Sequence, residues 1–286
     1  VPLQNVHSTD FLASAIADAL NISLSGHEKL EMQLINILRN KEMLLLLDNF
    51  EHLLDGVELI SDILREVKGV KLLITSREVL NLHEEWLYPV QGLPVPTSDQ
   101  DDDLKTSPAA QLFIERAQRV RRDFSPANER AAIMRICQLV GGMPLALELA
   151  ASWITSLHCE AIADQIQRNI DFLATRSRDV PERHRNMHAA FDQSWQHLSP
   201  KTRLVFQKLS VFQGGFLFHA AEQVTGVSLL TLSMLVDKSL LRREANGRYQ
   251  IHELLRQYAA EQLEKSTSDV QQTQADHAKY YIQFLH

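Results

Sequence analysis

A run of five apolar residues, Met43–Leu47, ends abruptly on Asp48 and Asn49. An apolar run this short, flanked by charged and polar residues, is typical of a strand that is buried on both faces in a parallel sheet. Asp48 then lies at the carboxyl end of the strand, where open α/β sheets place their ligands. A carboxylate at that point can hold a magnesium ion, or it can cap a helix that starts near Glu51. The run alone does not decide between these roles.

A second strand follows in the same pattern. The residues VKLLITSRE predict a buried strand that ends in Thr75, Ser76 and Arg77. An amphipathic helix, roughly Gly56 to Val67, is predicted between the two strands, and Tyr88–Val90 is expected to form a third, shorter strand. Strands that alternate with helices of this length imply a parallel sheet with right-handed βαβ connections.

Size and composition narrow the class of protein. At 286 residues the chain is long enough for two or three domains, and its 45% hydrophobic and 23% charged residues are ordinary for a soluble globular protein. No apolar run approaches the ~20 residues that span a bilayer, so no membrane partner is expected. Cys137 and Cys159 form neither a metal-ligand spacing nor a disulfide framework, which suits a reducing cytoplasm. The net charge of −7 argues against broad nucleic-acid binding, though not against a local basic patch.

The composition changes between residues 93 and 107, where two prolines and the acidic run Asp99–Asp103 predict a solvated linker and a domain boundary. The sequence beyond is helical, and prolines at helix-start positions open two of its helices, at Pro108 and at Pro144. The predicted organisation is a core at residues 1–97, a helical domain at residues 98–178, a third domain at residues 179–266 and the start of a helical repeat region at residues 267–286.

The third region combines helices with a hairpin. The residues LLRREANGRYQIH predict two strands joined by a two-residue type I′ turn at Asn246 and Gly247. Helices followed by a hairpin are the order of a winged helix-turn-helix domain, with Leu229–Asp237 as its candidate recognition helix. The tail from His277 onward begins a further amphipathic helix, which is typical of the start of a tetratricopeptide-like array.

Four stretches now stand in one order along almost the whole chain: LLLLDNFEHL, LLITSRE, GGMPLALELAA and IHELLRQYA. In this order they resemble the signal-transduction ATPases with numerous domains (STAND), which include the NB-ARC switches, and most of all the bacterial regulators of the LuxR and antibiotic-regulatory type. The resemblance implies an α/β and mostly α fold, with a parallel P-loop sheet, a helical domain and a winged-helix domain. It also implies ATP or ADP with Mg²⁺ as cofactors.

The resemblance also implies roles for residues at the strand ends. Asp48, with Asn49, would be the Walker B residue on the magnesium side, acting together with a Ser or Thr of the P-loop. Arg77 would be the sensor arginine that reads the γ-phosphate as a fixed, forked donor. Glu51 would polarise the attacking water, although an acid placed in the first helical turn by the helix dipole explains it equally well.

Two further roles fall in the later domains. Pro144 would pack on the adenine, and His252 would correspond to the histidine of the MHD-type motif that contacts the β-phosphate of ADP. The motif here reads Ile251, His252, Glu253, so Glu replaces its usual Asp. By default Pro144 is a helix N1 residue, and His252 is a cap or a satisfied buried imidazole.

One element of the family is absent from the sequence. No Gly is followed by Lys, so the P-loop pattern G-x-x-x-x-G-K-[ST] does not occur. Matched to the family, Val1 falls on the second strand, which implies a fragment whose first strand, P-loop and Lys lie upstream. We expect that strand between the strands that end at Asp48 and Arg77, so that the sheet lacks its central strand. The chain alone is then not expected to bind ATP, and slow hydrolysis is expected only in the full-length protein.

The leading hypothesis is a nucleotide-dependent switch that self-associates when active, senses a protein or small-molecule effector through downstream repeats, and reaches DNA through another domain. Two alternatives stay open. One is a winged-helix DNA-binding module with Arg242, Arg243 and Arg248 on its hairpin, although Leu229–Asp237 contains no Arg, Asn or Gln to read bases. The other is a scaffold without nucleotide.

Two histidines of the third region have the spacing of a metal-ligand pair. His184 and His188 have the i, i+4 spacing of two ligands on one helix face, but no third ligand follows at a recognisable spacing. The sequence therefore predicts no metal site at these histidines.

Overall fold

The computed structural model describes residues 1–25, 28–98, 101–175 and 185–284. The chain divides into two units, one formed by Val1–Tyr88 with Asp237–Ser239 and the other by Pro89–Val236 with Leu240–His286. The predicted boundary between residues 178 and 179 lies outside the described residues, and the other predicted domain boundaries stay predictions.

The first unit is built on two parallel strands, as predicted. Each residue of one strand lies opposite a residue of the other, from Met43 opposite Val70 to Leu47 opposite Ile74. A helix connects the two strands, and two more precede them, so that the unit has the expected βαβ connection. The elements are α1 (Leu12–Ala19), α2 (Leu30–Leu38), β1 (Met43–Leu47), α3 (Val57–Glu66) and β2 (Val70–Ile74).

The expectation that a strand is missing between β1 and β2 is wrong. The two strands pair directly along their length. On the other edge of β1, Pro2 and Asp48 form a parallel bridge, and the Leu3 amide donates to the Asp48 carbonyl at 2.9 Å. Both edges of β1 are therefore occupied at its carboxyl end, and a further strand can join this sheet only at its outer edges.

The sheet is also buried on one face only, contrary to the prediction. Leu45 and Leu47 are at most 3% exposed and pack with α1, α2 and α3. Leu44 and Leu46, which point the other way, are 64% and 44% exposed, and Leu73 of β2 is 50% exposed. The apolar run does not alternate, so its pattern cannot indicate that the three helices cover a single face.

The third predicted strand does not form. Residues 88–90 lie within the described range 28–98 and have no strand geometry there. Tyr88 and Val90 are both 89% exposed. Apolar, β-branched and aromatic composition favours a strand only where a neighbouring strand pairs with it.

The second unit is mostly helical. Part of the predicted linker belongs to a helix. The Asp103 carboxylate in this helix accepts hydrogen bonds from the amides of Thr97 (2.8 Å) and Ser98 (2.6 Å), and these bonds hold the preceding segment against the helix N-terminus. The helices are α4 (Asp101–Thr106), α5 (Pro108–Val120), α6 (Arg130–Leu139), α7 (Pro144–Ser152), α8 (Cys159–Arg168), α9 (Met187–Gln196), α10 (Pro200–Leu209), α11 (Phe218–Thr225), α12 (Leu229–Asp237), α13 (Glu253–Glu264) and α14 (Thr267–Phe284).

Local signals explain where several of these helices begin. The hydroxyls of Ser107 and Ser199 cap α5 and α10, each with a proline at the first helical position. One continuous core, which includes Phe113, Phe206 and Tyr258, runs through the helices. Among the described residues, no helix combines the length and the apolar character that crossing a membrane requires.

The predicted hairpin forms, but its turn differs from the prediction. β3 (Arg242–Arg243) and β4 (Tyr249–Gln250) pair in antiparallel register. The Gly247 amide donates to the Glu244 carbonyl at 3.0 Å, and Gly247 has a φ of +82° whereas Asn246 has no positive φ. A type I′ turn needs a positive φ at both central residues, so this is a longer loop that ends on a left-handed glycine. The Asn246 side chain accepts the Arg248 amide at 2.9 Å, which holds that alternative turn.

Candidate functional site

The carboxyl ends of β1 and β2 bring polar side chains together. Asp48 and Thr75 follow the paired residues Leu47 and Ile74, and the Thr75 hydroxyl donates to Asp48 Oδ1 at 2.5 Å. The Asn49 amide donates to Thr75 Oγ1 at 3.0 Å, and Asn49 itself has a φ of +72°. Thr75 thus orients the Asp48 carboxylate and fixes the sharp turn after β1. Sequence reasoning placed Thr75 at a strand end but gave it no role; its register opposite Asp48 is the signal that identifies it.

Glu51 and Arg77 form a second pair at the same edge. The Arg77 Nε lies 3.5 Å from Glu51 Oε1. The Glu51 side chain is 4% exposed, whereas that of Arg77 is 37% exposed. A nearly buried carboxylate is costly unless a positive charge is close, so the Arg77 guanidinium compensates for the burial of Glu51. Both residues were predicted to belong to a site, and the structure brings them together.

The side chains at this edge have donor groups of the kind that a magnesium ion or a phosphate requires. Mg²⁺ sites in nucleotide-binding proteins use one or two carboxylates with waters and substrate phosphates. Asp48 keeps Oδ2 free of the Thr75 hydrogen bond, and Arg77 carries a planar donor that suits a phosphate. The donor set fits Mg²⁺, but the chain has no glycine-rich loop to cradle the phosphates.

The remaining predicted residues lie in the second unit. Pro144 is exposed at the first position of α7, directly after a turn in which Gly141 and Gly142 have φ of +57° and +67°. A Cβ on Gly141 would lie 2.2 Å from Nε2 of His252, and a Cβ on Gly142 would lie 2.0 Å from the Leu93 carbonyl. The two glycines therefore allow His252 and residue 93 to approach the turn before Pro144.

His252 caps α13 and is held as a neutral ring. Its Nδ1 accepts the Leu254 amide at 3.2 Å, so the neutral tautomer carries its proton on Nε2. Burial lowers the pKa of His252, while the Val140 carbonyl and the Glu253 carboxylate act in the opposite direction. Nε2 is buried and makes no hydrogen bond of ordinary geometry among the described residues. The ring thus presents a buried donor beside the Gly141 turn.

Glu253, which stands where the family motif has Asp, has a structural partner. Arg256 donates to both of its carboxylate oxygens, at 2.8 and 2.7 Å. The pKa of Glu253 is lowered although burial opposes the change, because the Arg256 hydrogen bonds favour the carboxylate. This bidentate pair occupies the first turn of α13, where a negative charge is also favoured by the helix dipole.

Comparison with solved structures identifies the class of fold. The Walker-type ATPase paby2304 of Pyrococcus abyssi matches 91% of this chain and 82% of its own, with a TM-score of 0.51 and 13% identity. The STAND protein PH0952 of Pyrococcus horikoshii, which has a tetratricopeptide repeat sensor, matches 96% of this chain and 36% of its own at 15% identity. Its TM-score of 0.31 is too low to support a structural argument. The chain therefore has a fold like that of a Walker-type ATPase.

Sequence comparison then gives the family. One relative is Rv0890c of Mycobacterium tuberculosis, whose name describes it as an HTH-type transcriptional regulator. It is 31% identical over 98% of this chain and 32% of its own length. The uncharacterized protein Rv0894 of the same organism is 30% identical over 92% of this chain and 68% of its own length. The regulatory protein AfsR of Streptomyces coelicolor is 30% identical over 50% of this chain and 15% of its own.

The chain belongs to the same family as Rv0894. It spans about a third of the length of the HTH-type relatives that it matches. No protein-family model matches it.

Proposed function

We propose that this chain is the nucleotide-switch part of a bacterial transcriptional regulator of the STAND type. The observation that carries the proposal is the convergence of Asp48, Thr75, Glu51 and Arg77 at the carboxyl ends of two parallel strands. The fold, like that of a Walker-type ATPase, supports a role in nucleotide binding. The relatives that are named as regulators support a role in transcription.

In this proposal ATP or ADP binds with Mg²⁺ when a phosphate-binding loop is present in the natural protein. Asp48, oriented by Thr75 and followed by Asn49, would hold the ion, which supplies charge neutralisation at the phosphates. Arg77 would have to leave Glu51 to reach a phosphate, because the two side chains face each other. Glu51 would then be free to polarise a water, and hydrolysis would be slow and would reset the switch.

The second unit would contribute the remaining contacts. Pro144 is exposed on α7 and would pack on the adenine. His252 would donate through its Nε2–H to the β-phosphate of ADP, and its neutral tautomer supplies that donor. In the ADP state this contact would hold the predicted winged-helix domain closed. Exchange for ATP would release that domain and allow self-association, with effectors sensed by downstream repeats and DNA contacted by another domain.

The test is calorimetric titration of Mg·ADP into the natural full-length protein that carries this sequence. The variants are Asp48→Ala, Arg77→Ala and His252→Ala, with Arg65→Ala as the matched control because Arg65 forms an exposed ion pair with Asp62. Asp48→Ala and His252→Ala are expected to weaken ADP binding, and Arg77→Ala is expected to weaken binding of a non-hydrolysable ATP analogue more than that of ADP. Arg65→Ala should leave both affinities unchanged.

The outcomes separate the parts of the proposal. Weaker ADP binding by Asp48→Ala but not by His252→Ala would keep the nucleotide site and remove the third domain from it. An absence of ADP and ATP binding by the full-length protein would overturn the proposal and leave a scaffold.

A second candidate function is DNA binding through the hairpin. α11 and α12 are joined by a short turn at Gly226 and followed by β3 and β4, and Arg242 and Arg243 are exposed on the hairpin. Arg248 instead donates to the Gly215 carbonyl at 2.8 Å. A salt-sensitive affinity of this chain for duplex DNA that Arg242→Ala and Arg243→Ala reduce would favour this candidate.

A further inference from the structure

One side-chain cluster in the second unit joins an imidazole to two carboxylates. Nε2 of His188, on α9, lies 2.9 Å from Asp171 Oδ1 and 3.1 Å from Glu261 Oε2. Asp171 belongs to the short 3-10 helix Ile170–Phe172, and Glu261 lies on α13. The three atoms all lie within 4.8 Å of one another. Three separate elements of the chain therefore bring one nitrogen and two oxygens to a single point.

These distances do not arise from ordinary hydrogen bonds. Nε2 of His188 is buried and has no hydrogen-bond partner among the described residues, although both carboxylate oxygens are within hydrogen-bonding distance. Both oxygens must therefore lie to the side of the Nε2 axis, since a linear N–H···O arrangement is what a hydrogen bond requires. Ligands that surround a shared ion lie to the side of that axis, because the nitrogen points at the ion and not at the other ligands.

The separations between the His188 nitrogen and the two oxygens are close to those in a metal centre, and the two oxygens lie within 4.8 Å of each other. Zinc bonds of ~2.0–2.1 Å at tetrahedral angles place neighbouring ligand atoms about 3.3 Å apart. The observed separations of 2.9 and 3.1 Å from Nε2 need only small adjustments to reach that value. Three protein ligands would leave the fourth position of a tetrahedral ion open to water.

The electrostatics of the cluster favour a cation. The Asp171 and Glu261 carboxylates bring two negative charges to one nitrogen, and a divalent ion would neutralise both. Asp171 is also held in position, because its amide donates to Asn169 Oδ1 at 2.6 Å at the start of the 3-10 helix.

We propose that Asp171, His188 and Glu261 form a binding site for a divalent transition-metal ion. Zn²⁺ suits this set of one imidazole and two carboxylates, whereas an all-oxygen set would favour Mg²⁺ or Ca²⁺. The bound ion links the 3-10 helix to α9 and α13 and so fixes the packing of these three elements. His184, the histidine with which His188 was paired in sequence, lies outside the described residues.

The test is calorimetric titration of ZnCl₂ into the metal-free 286-residue chain. The wild type is expected to bind one equivalent of Zn²⁺ at this site. Each of the variants Asp171→Asn, Glu261→Gln and His188→Gln is expected to lower the Zn²⁺ affinity at least ~100-fold, because even the loss of a group that only orients a ligand costs roughly 10–100-fold. Asp171→Asn is the least disruptive variant, because the Asp171 side chain is 68% exposed. His197→Gln, at the exposed C-terminal end of the same helix, is the matched control and should bind as the wild type does.

Two further measurements keep the proposal falsifiable if a variant is unstable. Zn²⁺ should raise the thermal midpoint of the wild type and of His197→Gln but not that of Asp171→Asn. Co²⁺ should give visible absorption of a four-coordinate ion without a sulfur charge-transfer band, because the ligands are nitrogen and oxygen. If Zn²⁺ binding persists unchanged in all three variants, the metal binds at other histidines. If the wild type binds no Zn²⁺, the cluster is a simple ion pair. Either result overturns the proposal.

Discussion

Replacement of Gly141 by Ala tests the contact between the glycine turn and His252. Gly141 has a φ of +57°, and a Cβ there would lie 2.2 Å from His252 Nε2. The left-handed conformation alone costs an L-residue about 1–2 kcal/mol. Overpacking against a buried side chain adds about 1–3 kcal/mol, so we expect Gly141→Ala to lower the free energy of unfolding by about 2–5 kcal/mol.

The chain offers a matched control for the first of these two costs. Gly226 has a φ of +70°, and no heavy atom of the described chain lies within 4 Å of a Cβ built on it. Gly226→Ala should therefore cost only the conformational term of about 1–2 kcal/mol. In the His252→Ala background, Gly141→Ala should cost no more than Gly226→Ala does, because the imidazole that the Cβ meets is gone.

The assay is urea unfolding followed by tryptophan fluorescence. Trp153 and Trp195 are half-buried in the second unit, whereas Trp86 is 97% exposed and should change little on unfolding. Equal costs for Gly141→Ala and Gly226→Ala would refute the reasoning, since they would mean that His252 moves aside freely. The same result would mean that His252 does not need a glycine at position 141 in order to approach the turn.

Two further predictions concern buried charge. Because burial lowers the pKa of His252 below its ordinary value of about 6.5, its contribution to stability is complete above that pH and is lost as the pH falls below it. The free energies of unfolding at pH 7 and pH 5.5 should therefore differ less for His252→Gln than for the wild type. Part of the pH dependence that remains in His252→Gln should come from His277, whose pKa is also lowered by burial. Arg77→Ala should destabilise the first unit by about 1–2 kcal/mol, because it removes a positive charge beside the buried Glu51. Arg65→Ala, at an exposed pair, should change the free energy of unfolding by less than about 0.5 kcal/mol. Both are measured by urea unfolding followed by far-UV circular dichroism, which also reports the helices of the first unit.

Local sequence signals predicted much of the fold. The apolar run predicted the strand at Met43–Leu47, and Pro108 predicted the start of a helix, because both depend on residues close in sequence. Three predictions were wrong: that both faces of the sheet are buried, that residues 88–90 form a strand, and that the sheet lacks its central strand. Each of these depends on which distant segment lies alongside, and apolar composition does not contain that information.

The same limit applies to the candidate sites. Asp48 and Arg77 were found because each ends a recognisable strand. The role of Thr75 follows only from the register of β1 with β2, which the sequence does not specify. Asp171 and Glu261 are separated from His188 by 17 and 73 positions, so no spacing rule connects them. The type I′ turn failed for a different reason, because the Asn246 side chain stabilises an alternative loop.

The exposed face of the small sheet has a consequence for the behaviour of the chain at high concentration. Across the two strands, Leu44 lies opposite Lys71, and Leu46 lies opposite Leu73. Three of these four neighbours are leucines that are 44–64% exposed, beside the outer edge of β2. Flat apolar strands with an open edge are templates for intermolecular pairing, and a lysine on such a face opposes it by charge repulsion and hydration. Lys71 therefore lies where its charge would oppose such pairing, and we expect Lys71→Leu to make the chain more prone to aggregate.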